Sequence, residues 1–137
     1  SRLAEPFLRY GYTEKDEYHF TEKKLYARHL EHEDTSLPKV FISELKVEEF
    51  PKEFQYQIMG LLEQVPGDWS ARPDFLWSGR PWKSSYSLYD SLSRTSEYAA
   101  WLAAFGFRAN HFTVSINALK TFSEVAELNA FLKGHGI

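Results

Sequence analysis

The chain has 137 residues, enough for one domain with a real core, and its 43% apolar and 17% aromatic content excludes a disordered protein. A formal net charge of −3 leaves no basic footprint for nucleic acid, and no apolar run approaches the ~18–20 residues of a membrane span. The absence of cysteine excludes disulfides and thiolate metal sites, so any metal would need His and carboxylate ligands.

The first element in chain order is a helix. Leu3, Ala4, Phe7 and Leu8 recur at helical spacing, which predicts a helix over Ser1–Tyr10 that hands over at Gly11. Glu17–Phe20 reads as a short strand and Lys24–His32 as a second. In the latter, Leu25, Ala27, His29 and Glu31 share one face, and Tyr26, Arg28, Leu30 and His32 the other. The turn cluster Glu33-Asp34-Thr35-Ser36 and Pro38 lead into a third strand, Lys39–Val47, so the two strands form an antiparallel pair. Glu48–Val65 is a helix with Phe50, Phe54, Ile58, Leu61 and Leu62 as its apolar stripe, stopped by Pro66-Gly67. Asp68–Ser84 is irregular and rich in Trp, as lids often are. Ser85–Leu92 and Ser96–Phe105 follow as helices, and Glu124–Lys133 is the last.

Between them, Asn110–Asn117 reads as a strand, with Phe112, Val114 and Ile116 on one face and His111, Thr113, Ser115 and Asn117 on the other. The polar row has two readings. The commoner is the solvent side of an antiparallel sheet; the other is the floor of a concave site with His111 as metal ligand or general base. His19, His29, His32 and His135 are weaker candidates. His29 and His32 fall on opposite faces of one strand and cannot form one chelate. Glu44, Asp90 and Glu97 are the carboxylates closest to apolar surroundings, and no Ser-His-Asp order, phosphate loop or HExxH spacing occurs. Phe7–Tyr12 and Phe131–Ile137 are similar helix ends, as in a chain built from two β-α-β-β-β modules. Ser1 is not an initiator and the chain stops just after a helix end, so a segment of a longer chain is expected, and a soluble cytoplasmic protein is the default.

A resemblance carries the reading further. Ser96-Glu97-Tyr98-Ala99-Ala100-Trp101, Phe105-Gly106-Phe107, Ala109-Asn110-His111-Phe112-Thr113-Val114 and Leu128–Lys133 resemble the DUF1338 family, as do Lys23–Ala27 and Leu37–Leu45. The family is related to the vicinal-oxygen-chelate fold. The resemblance therefore implies an α+β protein with an antiparallel sheet of β-α-β-β-β modules: residues 1–47 part of the first, 48–105 an inserted helical subdomain, 106–137 the start of the second. Characterised members are similar to 2-oxoadipate dioxygenase/decarboxylases, or hydroxyglutarate synthases, which use Fe(II) and O₂ to form 2-hydroxyglutarate in lysine catabolism.

The family's iron site has two His and one Glu. His111 matches the second His. The resemblance puts the first His, with a substrate-binding Arg, before Ser1 and the Glu after Ile137, so this segment alone is expected to be inactive. The implied partners are a small 2-oxo acid and O₂, with no nucleic acid and no membrane. The alternatives are a metal-free binding module and a metal-dependent isomerase or hydrolase on the same scaffold.

Three structural expectations follow. The sheet contains Lys24–His32, Lys39–Val47 and Asn110–Asn117, with the first and last helices packed on it. The insertion covers one mouth of the sheet and packs Trp77 or Trp82 there. The His111 ring points into a cavity enclosed by the sheet.

Overall fold

The structure, a computed structural model, describes residues 2–137; Ser1, the first residue of the expected opening helix, lies outside them. Three strands, β1 (Thr13–Phe20), β2 (Leu25–Glu31) and β3 (Val40–Leu45), form an antiparallel sheet in the order β1-β2-β3. The helices are α1 (Glu5–Arg9), α2 (Lys52–Leu62), α3 (Tyr86–Ser93), α4 (Glu97–Phe105) and α5 (Val125–Gly134). The α+β architecture expected from the sequence is the one observed.

The alternation in the central strand sorts the sheet into two faces. Leu30 pairs with Val40 and Arg28 with Ile42, so these side chains share a face. There α1 lies down: Ala4, Tyr12, Leu30 and Ile42 form a buried cluster, with Leu3, Phe7 and Val40 against it. Leu25, Ala27 and His29 point to the opposite face, with Tyr18, Phe20 and Phe41 beside them. Strand β1 begins four residues earlier than the expected Glu17, because its first half is held by pairing with β2 rather than by apolar alternation; its register slips between Glu14 and Asp16.

A second core joins the helices that follow β3 to the end of the sheet. Phe50, Phe54, Leu61, Trp82, Leu92, Ala99, Ala100 and Ala103 are buried together, and Leu45 of β3 packs against them. The small side chains of α4 let α3 approach it, and Ser85 and Ser96 cap α3 and α4 by accepting from the Leu88 and Ala99 N–H groups at 3.2 Å. Trp82 is buried in this core, its indole donating to the Ala103 carbonyl of α4 at 3.1 Å, and Trp77 is exposed.

Tyr98 makes a second tie, its hydroxyl donating to the Ser43 carbonyl of β3 at 2.8 Å. Burial, and then the nearby Glu44 carboxylate, push the Tyr98 phenol up to about 12. The fold therefore favours the neutral phenol. This contribution is complete below the unfolded pKa near 10 and is lost as pH rises from there towards 12. Tyr98→Phe is expected to cost ~0.5–1.5 kcal/mol at neutral pH and to flatten the alkaline loss of stability. Urea unfolding of both proteins at pH 7 and across the alkaline range checks both effects.

Two expectations are corrected. Asn110–Asn117 is not a strand: it pairs with nothing among the described residues and ends in a 3₁₀ turn at Ile116–Ala118. Its apolar side is uncovered, with Phe112 90% exposed. An isolated bridge nearby joins Phe107 to Gly79. Alternation defines faces, but a strand also needs a neighbour to satisfy its backbone, and no strand lies beside this segment among the described residues. Helix α5, expected on the sheet, buries no residue, and its Phe131 ring leans locally on Phe122 at 5.2 Å.

Candidate functional site

His111 sits in the irregular stretch after α4. Its side chain is exposed and makes no hydrogen bond or ion pair among the described residues, so it does not point into an enclosed cavity as expected. The root of this stretch is nevertheless fixed. The Phe107 N–H donates to the Gly79 carbonyl at 3.1 Å, and a methyl group on Gly79 would lie 2.9 Å from Arg108 Nη2. Thr113, Ser115 and Asn117, the remainder of the polar row, are exposed as well.

The histidines predicted to be weaker candidates stay apart. His19 lies on an exposed strand with its ring 5.2 Å from Tyr26. The His32 ring lies tilted against Tyr12 at 5.3 Å and accepts from the Asp34 N–H at 2.9 Å. The His135 ring packs 4.2 Å from Phe131. His29 is flanked by two carboxylates, Asp16 at 3.9 Å from Nδ1 and Glu31 at 3.3 Å from Nε2. Because they approach opposite sides of the ring, they cannot converge with it on one ion. Lys39 takes up Glu31; the hydrogen bond it donates holds that carboxyl below its usual range.

The carboxylates singled out from the sequence are engaged or exposed. Glu44 accepts from Arg28 Nη2 at 3.2 Å while Glu14 accepts from Nη1 at 2.6 Å, so Arg28 links all three strands. Asp90 pairs with Arg94 at 2.6 Å, and Glu97 lies in the first turn of α4. No group of three His, Asp or Glu side chains among the described residues is arranged to hold a metal. These residues offer one candidate donor, His111, and taken by themselves do not fit an iron centre.

The feature sequence reasoning missed is the sheet face turned away from α1. Tyr18, Phe20 and Phe41 are 38%, 42% and 53% exposed there, with the Tyr18 ring 5.4 Å from Phe41 and 6.5 Å from Phe20. They stand over Leu25 and Ala27, which they help to bury. The signal was the shared parity of Tyr18 and Phe20 at the end of a charged run. Cross-strand pairing with Phe41 could not be read before the register was known.

No family model matches the chain. It is 37% identical, over 98% of its length, to the 2-oxoadipate dioxygenase/decarboxylase, chloroplastic, of Arabidopsis thaliana, and 34% identical to the chloroplastic/amyloplastic protein of that name from Oryza sativa subsp. japonica. The chain spans 40% and 39% of the lengths of these curated relatives. Among solved structures it resembles a protein from Shewanella frigidimarina NCIMB 400 provisionally described as a hydrolase, with a TM-score of 0.93 and 49% identity over 98% of this chain and 53% of that one. A glyoxalase superfamily protein from Ralstonia eutropha JMP134, TM-score 0.74 at 20% identity over 98% of this chain and 48% of that one, shares the fold. The hydroxyglutarate synthase of Oryza sativa, solved with 2-oxoadipate, superposes with a TM-score of 0.82 at 34% identity over 97% of this chain and 46% of that one. Over nearly its whole length, then, the chain is similar to a segment of proteins named as 2-oxoadipate dioxygenase/decarboxylases.

Proposed function

We propose that this chain is part of a dioxygenase/decarboxylase that uses Fe(II) and O₂ to convert 2-oxoadipate to 2-hydroxyglutarate in lysine catabolism. The observation that carries the reading is the end-to-end similarity to relatives of that name, together with the likeness to a synthase solved with 2-oxoadipate.

In this reading His111 donates one imidazole to the iron, and the other ligands come from the length of the relatives that this chain does not span. A ligating histidine needs its second ring nitrogen held, and no described group holds His111, so its orienting partner also belongs to that remainder. The chain's own contribution is then positional. The Gly79–Phe107 bridge sets where the His111 stretch departs, and the open face of Tyr18, Phe20 and Phe41 offers an apolar wall for the methylene chain of a 2-oxo diacid.

The test is iron content, 2-oxoadipate turnover with O₂ consumption, and melting temperature for the full-length protein and its His111→Ala variant. The variant is expected to lose its iron and at least ~100-fold in turnover with little change in melting temperature, because an exposed side chain without partners contributes little to folding. Retention of iron and activity would overturn the ligand assignment, and loss of folding would make His111 a structural residue. The likeness to the Shewanella protein favours a second reading, a metal-dependent hydrolase on the same scaffold. Hydrolysis of an ester or amide by the full-length protein, with no turnover of 2-oxoadipate and no O₂ consumption, would select it.

A further inference from the structure

The geometry points to a second ligand site, separate from the open sheet face: the cleft between β3 and the helical insertion binds a medium-chain carboxylate. The cleft has a volume of about 510 Å³, within the size range of small-molecule pockets. Ile58, Leu61, Val65, Trp69, Phe75 and Phe107 form most of its wall. They come from α2, from the loop after it and from the residue following Gly106, and Leu3, Leu45 and Val47 add apolar surface from the side of α1 and β3.

The hydrogen-bonding inventory of the wall says what kind of head group fits. Two of its acceptors already have donors: Glu44 Oε1 takes Arg28 at 3.2 Å, and the Ser43 carbonyl takes the Tyr98 hydroxyl at 2.8 Å. Of its donors, the Tyr98 hydroxyl and the Trp82 indole have acceptors, and two others have none among the described residues. Trp69 lines the cleft at 6% exposure, and its indole N–H is buried without a partner among the described residues. Arg2 lines the cleft too, is exposed, and pairs with no carboxylate among the described residues. A guest that offers oxygen acceptors on an apolar chain answers both, because a buried donor left unpaired is costly and a guanidinium favours a carboxylate. A cationic head group would instead meet the exposed guanidinium of Arg2.

The experiment titrates decanoate and decyltrimethylammonium, each below its micellar range, into the full-length protein. Binding is followed by calorimetry and by the fluorescence of Trp69 and Trp82. Decanoate is expected to saturate at one site and to bind at least ~10-fold more tightly than the ammonium, the size of one charge-assisted contact. Arg2→Gln is expected to remove most of that preference. Leu62→Trp, which fills the mouth from a half-exposed position, is expected to abolish binding with an unchanged circular dichroism spectrum. Equal affinity for the two head groups, no saturation, or indifference to either substitution overturns the proposal. Since the readout needs no turnover, failure here leaves the dioxygenase reading untouched, and failure of that reading leaves this one standing.

Discussion

Gly106→Ala is expected to destabilise the protein by at least ~3 kcal/mol. Gly106 ends α4 with φ +75°, and a methyl group there would lie 2.4 Å from both Arg80 Cα and the Gly79 carbonyl oxygen and 2.6 Å from Arg80 N. These are backbone atoms, so no side-chain rotation relieves the overlap. Either the Gly79–Phe107 bridge opens or α4 loses its last turn, where the Gly106 N–H donates to the Leu102 carbonyl at 2.8 Å. Gly60→Ala is the matched control: it adds the same methyl within α2, where nothing lies within 4 Å of it. That change is expected to stabilise by ~0.4–1 kcal/mol through helix propensity and chain entropy. Urea unfolding of the two variants separates the effects; equal and small changes would show that the close approach at Gly106 is not a constraint.

Trp82→Ala is expected to cost ~3–5 kcal/mol. Trp82 is 7% exposed, meets Phe107 edge to face at 5.3 Å, and donates from its indole to the Ala103 carbonyl at 3.1 Å. Ala103 is in the last turn of α4, whose carbonyls have no partner within the helix. Arg80 takes the next one, Ala104, at 3.2 Å. Two side chains two residues apart thus close the helix end from outside, and Trp82 adds the volume that fills the core beneath it. Trp82→Phe separates these roles, since it keeps an aromatic ring against Phe107 and removes the donor. It is expected to cost roughly half as much as the alanine variant. A phenylalanine variant as unstable as the alanine one would mean that the hydrogen bond, not the volume, dominates.

The elements legible in the sequence were those whose signal is local. Of the expected stripe Phe50, Phe54, Ile58, Leu61 and Leu62, α2 buries Phe54 and Leu61, Phe50 is buried just before the helix begins and Leu62 is 42% exposed, while the alternation in β2 sorts Leu30 from Ala27 correctly between the two faces. Ser85 and Ser96 stand just outside their helices, where a hydroxyl is useful. What failed was non-local. Phe112, Val114 and Ile116 alternate as well as any strand residues, yet pairing is decided by a neighbour that the alternation does not encode. Tyr18 and Phe20 were hidden within charges because they become a surface only when Phe41 arrives from 21 residues beyond Phe20. For the candidate site, alternation raised His111 as one of two readings of the polar row, and the resemblance made it the iron-ligand candidate.

The unpaired stretch also bears on solubility. Strand β1 is an open sheet edge too, but Glu14, Lys15, Asp16 and Glu17 run along it and its register slips there, the features that discourage edge-to-edge association. Asn110–Asn117 has no such protection. It holds eight consecutive residues with no Asp, Glu, Lys, Arg, Pro or Gly, and its Phe112 and Val114 side chains are 90% and 67% exposed. Short β-prone segments without gatekeeping charges are those from which dry, stacked interchain zippers grow. Wherever this stretch stays uncovered, it is the first place at which neighbouring molecules will nucleate aggregation, and burying its phenylalanine would protect the protein in solution as well as position the adjoining histidine.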